Sequence, residues 1–314
     1  MSGPRPLTFA AGGLSKVFGT VTAVDEVSFV VPAGRIAALV GPPGSGKTTV
    51  LRMLLGQLRP TAGTASVGGP GSGVRAGRQA VGAVLSPRGL HPARTVTGQL
   101  RVFAAAAGVS DTRVAELLTL MRLDTVAGQR LSTLPAGAHT RLALAIALLG
   151  DPPLLLLDDP AAGLDPAEGG WLNEFLHSHA RRGGTVLLTA RTLTAVVSVA
   201  DELIVLNQGR IAYQGSPARL RRSHPDRILV KASSPIALAT ALAAQGFTDA
   251  IMRPDGRLAI AEATLSQVEA AAAAARVQLT EVMAEHIHPD QVLASLTRPA
   301  APAYPSPTAY GMPR

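Results

Sequence analysis

Five short apolar runs punctuate the first two-thirds of the chain: Val24–Val31, Arg35–Val40, Leu154–Leu157, Thr185–Thr189 and Leu203–Leu206. They are strand-length and bounded by Gly, Pro or Asp, and those without polar interruption suit strands buried on both faces. Between most of them apolar positions recur at helical spacing, as in Lys47–Leu55, so the alternation predicts an α/β fold with a largely parallel sheet. Residues 91–130 break the pattern. They are helix-rich, follow a Pro-containing turn and carry no strong strand signal, which predicts a helical insertion. A polar, basic stretch at Ser223–Arg227 reads as a linker. Beyond it, Ile228–Lys231, Pro235–Gln245, Ala250–Met252, Leu258–Ala261, Leu265–Ala275 and Gln278–Met283 read as β-α-β-β-α-β, a small α+β unit. The expected division is 1–225, with a helical part at about 91–150, then 226–298, then a Pro-rich tail at 299–314 with the composition of a disordered segment.

Composition changes this picture little. Hydrophobic residues make up 47% of the chain but aromatics only 3%, so aliphatic side chains must fill the core. The chain has no cysteine, which excludes disulfides, thiolate metal sites and a Cys nucleophile and fits a reducing compartment. Met1–Pro6 lacks the apolar core of a secretory signal. The greasiest stretches, Leu142–Leu149 and Leu154–Leu157, are separated by Gly-Asp-Pro-Pro, and neither approaches the ~20 residues of a membrane span. Any membrane role is therefore expected to run through a partner. The net charge of +8 comes from dispersed arginines without interleaved aromatics, so no nucleic-acid partner is expected. Such a surface favours acidic partners or anionic membranes.

Chemistry enters at Gly41-Pro42-Pro43-Gly44-Ser45-Gly46-Lys47-Thr48, which fits G-x-x-x-x-G-K-[ST]. The context is the required one, a short apolar strand before it and a helical pattern after it. Gly44 and Gly46 let successive backbone N–H groups turn inward, and the helix N-terminus adds positive potential, so the segment predicts a nucleotide polyphosphate site. Lys47 would reach the β- and γ-phosphates, Thr48 would ligate Mg²⁺, and Thr49 would donate to the α-phosphate. About 110 residues downstream, Leu154-Leu-Leu-Leu-Asp158-Asp159-Pro160 is a continuously apolar strand ending in two acids. Ligands in open α/β sheets gather at strand carboxyl ends, which places Asp158 to hold Mg²⁺ through water and Asp159 to polarise an attacking water.

With Ala162-Gly-Leu-Asp165 following, residues 7–225 resemble the ATP-binding cassette (ABC) transporter ATPases, the nucleotide-binding subunits of membrane transporters. The resemblance implies a P-loop NTPase (ABC ATPase) domain with a helical insertion, followed here by the small α+β carboxyl-terminal domain. It implies that Phe18 stacks on adenine, that Gly41–Thr49 is the Walker A segment, Leu154–Asp158 the Walker B strand and Ala162–Asp165 the D-loop. The carboxyl-terminal extension is similar to that of bacterial drug-export ATPases. Further implications are ATP and Mg²⁺ as ligands, a separate membrane permease contacted near His91–Leu100, a homodimer or heterodimer with another ATP-binding subunit, and a place at the cytoplasmic face of the membrane.

Four positions depart from the family pattern. The signature Leu-Ser-Gly-Gly-Gln falls on Leu134-Pro-Ala-Gly-Ala138, which keeps Gly137 but puts Pro135 where a serine would donate both a hydroxyl and an N–H. The alternative register, Leu131–Pro135, keeps Ser132 but loses the glycines. Asp159 stands where the family has glutamate; its reach is about 1.5 Å shorter, and a misplacement of ~1 Å can cost ~10²-fold in rate. Arg191 occupies the switch-histidine position, and Ser86 that of the Q-loop glutamine. Two readings follow: a motor that hydrolyses ATP, or an ATP-binding module with little turnover. The remaining histidines suggest no metal site, since His177 and His179 face different sides of a helix, and His286 and His288 share a strand face without a third ligand. Trp171 reads as packing.

Overall fold

A computed structural model describes residues 8–68, 80–86 and 88–298. The tail expected at 299–314 and the first seven residues lie outside them.

At the centre is a six-stranded sheet of β3 (Ile36–Val40), β5 (Val81–Val84), β6 (Leu154–Leu157), β7 (Thr185–Ala190), β8 (Glu202–Asn207) and β9 (Arg210–Gly215). Their order is β5-β6-β7-β3-β8-β9, parallel throughout except for the antiparallel edge pair β8-β9. The continuous apolar runs have a direct cause. Successive side chains of each strand enter different cores: Ile36, Ala38 and Val40 of β3 pack on one side, Ala37 and Leu39 on the other. Leu155 and Leu157 of β6 part from Leu154 and Leu156 in the same way.

The first core lies under the helices predicted as an insertion, α2 (Val96–Ala107), α3 (Asp111–Leu120) and α4 (Ala136–Ala147), together with α5 (Pro166–Arg181). Thr95 and Ser110 cap α2 and α3 by accepting from backbone N–H groups three residues on, which fixes where each helix begins. The second core lies between the central sheet, α1 (Lys47–Leu54) and an antiparallel sheet absent from the sequence-based expectation. That sheet pairs β1 (Phe9–Phe18) with β2 (Val21–Val31) and β4 (Ala62–Val67), in the order β2-β1-β4. β2 also begins three residues earlier than the run at Val24–Val31 predicts.

After the short helix α6 (Pro217–Ser223) come β10 (Arg227–Ala232), α7 (Pro235–Ala244), β11 (Ala250–Met252), β12 (Leu258–Ala261), α8 (Leu265–Ala275) and β13 (Leu279–Glu285). The strands form an antiparallel sheet in the order β11-β12-β10-β13, and Leu238, Leu242, Val268 and Ala271 pack helices α7 and α8 on it as a third core. A last helix, α9 (Pro289–Leu296), returns to the first core with Val292 and Leu293. There the Asp290 carboxylate accepts from the Leu193 N–H at 2.7 Å and the Thr194 hydroxyl at 2.8 Å.

The histidines resolve separately. His286 and His288 do not share a strand face: both follow β13, where His286 pairs with Asp226 at 3.1 Å and His288 caps α9. Among the described residues no group of three or more His, Cys, Asp or Glu could hold a metal ion. His179 is buried on α5, its Nε2 3.4 Å from the Pro153 carbonyl. Burial pushes its pKa below the usual value, against the carbonyl, which favours the protonated ring. The unfolded chain binds this proton more readily, so the contribution to stability is complete above the unfolded pKa of 6.5 and is lost as pH falls below it. Melting temperature is expected to drop from pH ~7.5 to ~5, with a shallower drop in His179→Gln. Identical pH profiles for the two proteins would contradict this assignment.

Candidate nucleotide site

The carboxyl ends of β3, β6 and β7 open into a cavity of about 610 Å³. Pro43–Thr49, Asp158, Asp159, Thr189 and Arg191 are among the residues that line it. The strand-to-helix turn needs its glycines. Gly46, at φ +101°, is the N-cap of α1, and a Cβ there would stand 2.5 Å from the Ala23 carbonyl oxygen. Gly41 lies outside the lining; a side chain on it would overlap the Leu206 carbonyl, so its role is close packing on β8. Pro42 also lies outside the lining. No side chain caps α1, which leaves its first N–H groups to an anion.

Lys47 is buried, and its ammonium donates to the carbonyls of Gly41 and Pro42 at 2.7 and 2.8 Å and to the Ser45 hydroxyl at 3.2 Å. Burial lowers its pKa, opposed by the nearby charges of Asp159 and Asp158. The Thr48 hydroxyl donates to the Asp158 carboxylate at 3.1 Å. Hydroxyl and carboxylate oxygens side by side are hard donors of the kind Mg²⁺ takes, with phosphate and water oxygens completing its shell.

Thr189, which the sequence reading missed, organises both acids. Its hydroxyl donates to Asp158 at 2.7 Å and accepts from the Asp159 N–H at 2.9 Å. Its position on β7, beside the acid-tipped β6, was the available signal. Asp159 sits at φ +49°, a conformation that short acidic side chains tolerate better than most. Its carboxylate pairs with the Arg191 guanidinium at 2.8 Å. Arg191 is 69% exposed, so the pair adds little stability, but it engages one oxygen of the carboxylate that lines the cavity.

Phe18, Asp165, Gly137 and Pro135, also singled out from sequence, stand outside the cavity lining. Phe18 is 48% exposed at the end of β1, outside the cavity lining, with the Lys16 ammonium 5.1 Å from its ring centre. Asp165 caps α5, its carboxylate accepting from the Glu168 N–H at 2.8 Å while the Glu168 side chain returns to the Asp165 N–H. Gly137 is buried beneath Glu168, whose carboxylate occupies the space a side chain on Gly137 would need. Helix α4 begins at Ala136, inside the segment aligned with the signature, and its N-cap Pro135 supplies no side-chain cap. Ser86 and Arg88, beyond β5, line the cavity; sequence reasoning missed Arg88. Trp171 stacks on Phe175 with ring centres 5.8 Å apart.

Residues 24–162 match the family model described as ABC transporter. The Nod factor export ATP-binding protein I of Rhizobium sp. (strain N33) is 38% identical over 218 residues, which cover 68% of this chain and 72% of that protein. The chain belongs to the ABC transporter family of ATP-binding subunits. A second relative of this ABC ATPase, the Nod factor export ATP-binding protein I of Paraburkholderia xenovorans (strain LB400), is 39% identical over 238 residues, covering 73% of the chain and 78% of the relative. Among solved structures, an ATP-binding subunit of an ABC transporter superposes with a TM-score of 0.61 at 26% identity, covering 69% of this chain and 92% of that one. The cbiO1 protein of Clostridium perfringens, part of the transporter complex cbiONQ, superposes with a TM-score of 0.62 at 22% identity over 70% of this chain and 92% of its own, and supports the fold alone. Among the described residues of this ABC ATPase no helix is long and apolar enough to cross a membrane.

Proposed function

We propose that this ABC ATPase powers an export-type transporter slowly, with ATP binding as its stronger property. The ion pair between Asp159 and Arg191 carries the reading. In the proposed complex a separate permease holds the subunit at the cytoplasmic face of the membrane, through the segment His91–Leu100. A second ATP-binding subunit, identical or different, packs head-to-tail so that each ATP is enclosed between one chain's phosphate cradle and the other's signature. Phe18 stacks on the base, and Gly137 and Asp165 meet the partner's nucleotide once Glu168, which now covers Gly137 and pairs with Asp165, moves aside. Two helices that lack side-chain caps support this geometry: α1 presents its N-terminus to the ATP of its own chain, and α4 presents its own to the partner's. Start of α4 at Ala136 supports the signature register Leu134–Ala138.

Within the site, Lys47 exchanges the loop carbonyls for phosphate oxygens as ATP enters. Thr48 and Asp158 would hold Mg²⁺, which neutralises phosphate charge when bound. Asp159 would orient the attacking water, and does so poorly while Arg191 holds it. The division at residues 225 and 226 is supported by a third core that shares no residue with the other two.

The test pairs nucleotide affinity with phosphate release for the full chain, alone and with its permease. Tight ATP binding with turnover well under ~1 s⁻¹ is the expected result. Turnover at several per second would overturn the slow reading. Failure to co-purify with any membrane subunit encoded beside it would overturn the transporter assignment.

A further inference from the structure

Among the described residues, three cationic side chains line the cavity, and two are engaged. Lys47 is bonded to the phosphate loop and Arg191 to Asp159. Arg88 forms no hydrogen bond or ion pair with any described residue. It is nonetheless half-buried. Burial draws its pKa below the ordinary arginine value, opposed by the charge of Asp159. A guanidinium that has lost much of its water without gaining a counter-ion is costly to keep, and an incoming anion relieves that cost.

Its place in the fold says which anion. β5 and β6 run parallel in register, Val84 beside Leu157, so the segment carrying Arg88 leaves the sheet next to Asp158 and Asp159. Arg88 and both acids line the same cavity as the phosphate loop, and Thr48, in the first turn of α1, contacts Asp158 at 3.1 Å, so the outermost phosphate of a chain held by the loop would lie toward these acids. Arg88 also borders a groove with Ala136 and His139 of α4, so it lies between the cavity and the start of the signature helix.

We propose that Arg88 is the receptor for the terminal phosphate of ATP, the side chain by which this chain distinguishes a nucleoside triphosphate from a diphosphate. The proposal rests on reading the cavity as the ATP site. A planar guanidinium presents paired N–H donors that match two phosphate oxygens, and it adds charge where a neutral amide would add only a dipole. With Arg191 neutralised by Asp159, Arg88 is the free positive charge that the γ-phosphate meets among the described residues.

Fluorescent ATP and ADP analogues, titrated into the full chain with Mg²⁺ and again in chelator, test this. Arg88→Ala is expected to weaken ATP at least about tenfold and ADP by less than about twofold, in both conditions. Arg88→Lys, which keeps the charge and loses the fork, should fall between. Both variants should stay folded, since Arg88 packs in none of the cores, and Arg88→Ala should melt at or above the parent because it removes a desolvated charge. Equal weakening of ATP and ADP, or no change in either, would overturn the proposal. The cavity reading fails separately, and takes the proposal with it, if the parent binds neither nucleotide or Lys47→Ala leaves both affinities unchanged.

Discussion

Replacing Lys47 with alanine should lower ATP affinity at least ~100-fold while leaving the protein folded. The side chain is buried and charged, and its ammonium now satisfies carbonyls that a bound phosphate would replace. Removing it deletes the one charge that the loop itself aims at the inner phosphates, and bonds to ionised partners are the strong ones. The fold survives because Val50, Leu51, Met53 and Leu54 on the same helix stay anchored in the second core. Calorimetric titration with ATP reads the affinity, and a melting curve reads the fold. Unchanged ATP binding in a folded Lys47→Ala protein would remove the site from this cavity.

The second large effect runs the other way. Asp159→Glu, Arg191→His and Pro135→Ser together should raise turnover by about 10²-fold. Asp159→Glu alone should gain little, because a longer carboxylate still faces Arg191; the gain should appear when Arg191→His frees it. Pro135→Ser restores a hydroxyl at the N-cap of α4, which no side chain now caps, and should stabilise that helix by about 1 kcal/mol. Phosphate release over the series of single, double and triple variants orders these contributions. A triple variant no faster than the parent would show that these positions do not limit hydrolysis.

The parallel strands were legible because both faces are buried: Leu154–Leu157 has no polar position to confuse its reading. The phosphate loop was legible because its chemistry demands a fixed spacing. The antiparallel sheet was not. Phe9–Phe18 carries Gly12 and Gly13 in its middle, shifts register against β2 three times and is only half-covered, so neither apolar runs nor strict alternation marks it. The start of α4 was hidden because Pro-Ala-Gly-Ala reads as a turn until the uncapped helix behind it is seen. Thr189 and Arg88 were invisible for another reason. Each acts through residues far away in sequence, and only the pairing of β5, β6 and β7 brings them to the acids.

The return of α9 to the first core changes what kind of appendage the carboxyl-terminal sheet is. Leu220 pins its entry and Val292 and Leu293 pin its exit, all in the same core, while Asp290 grips the backbone just past Arg191. A unit held at one end swings like a pendant on a cord. Held at both, it is the handle of a cup, and a load placed on the handle is borne by the wall that carries Arg191.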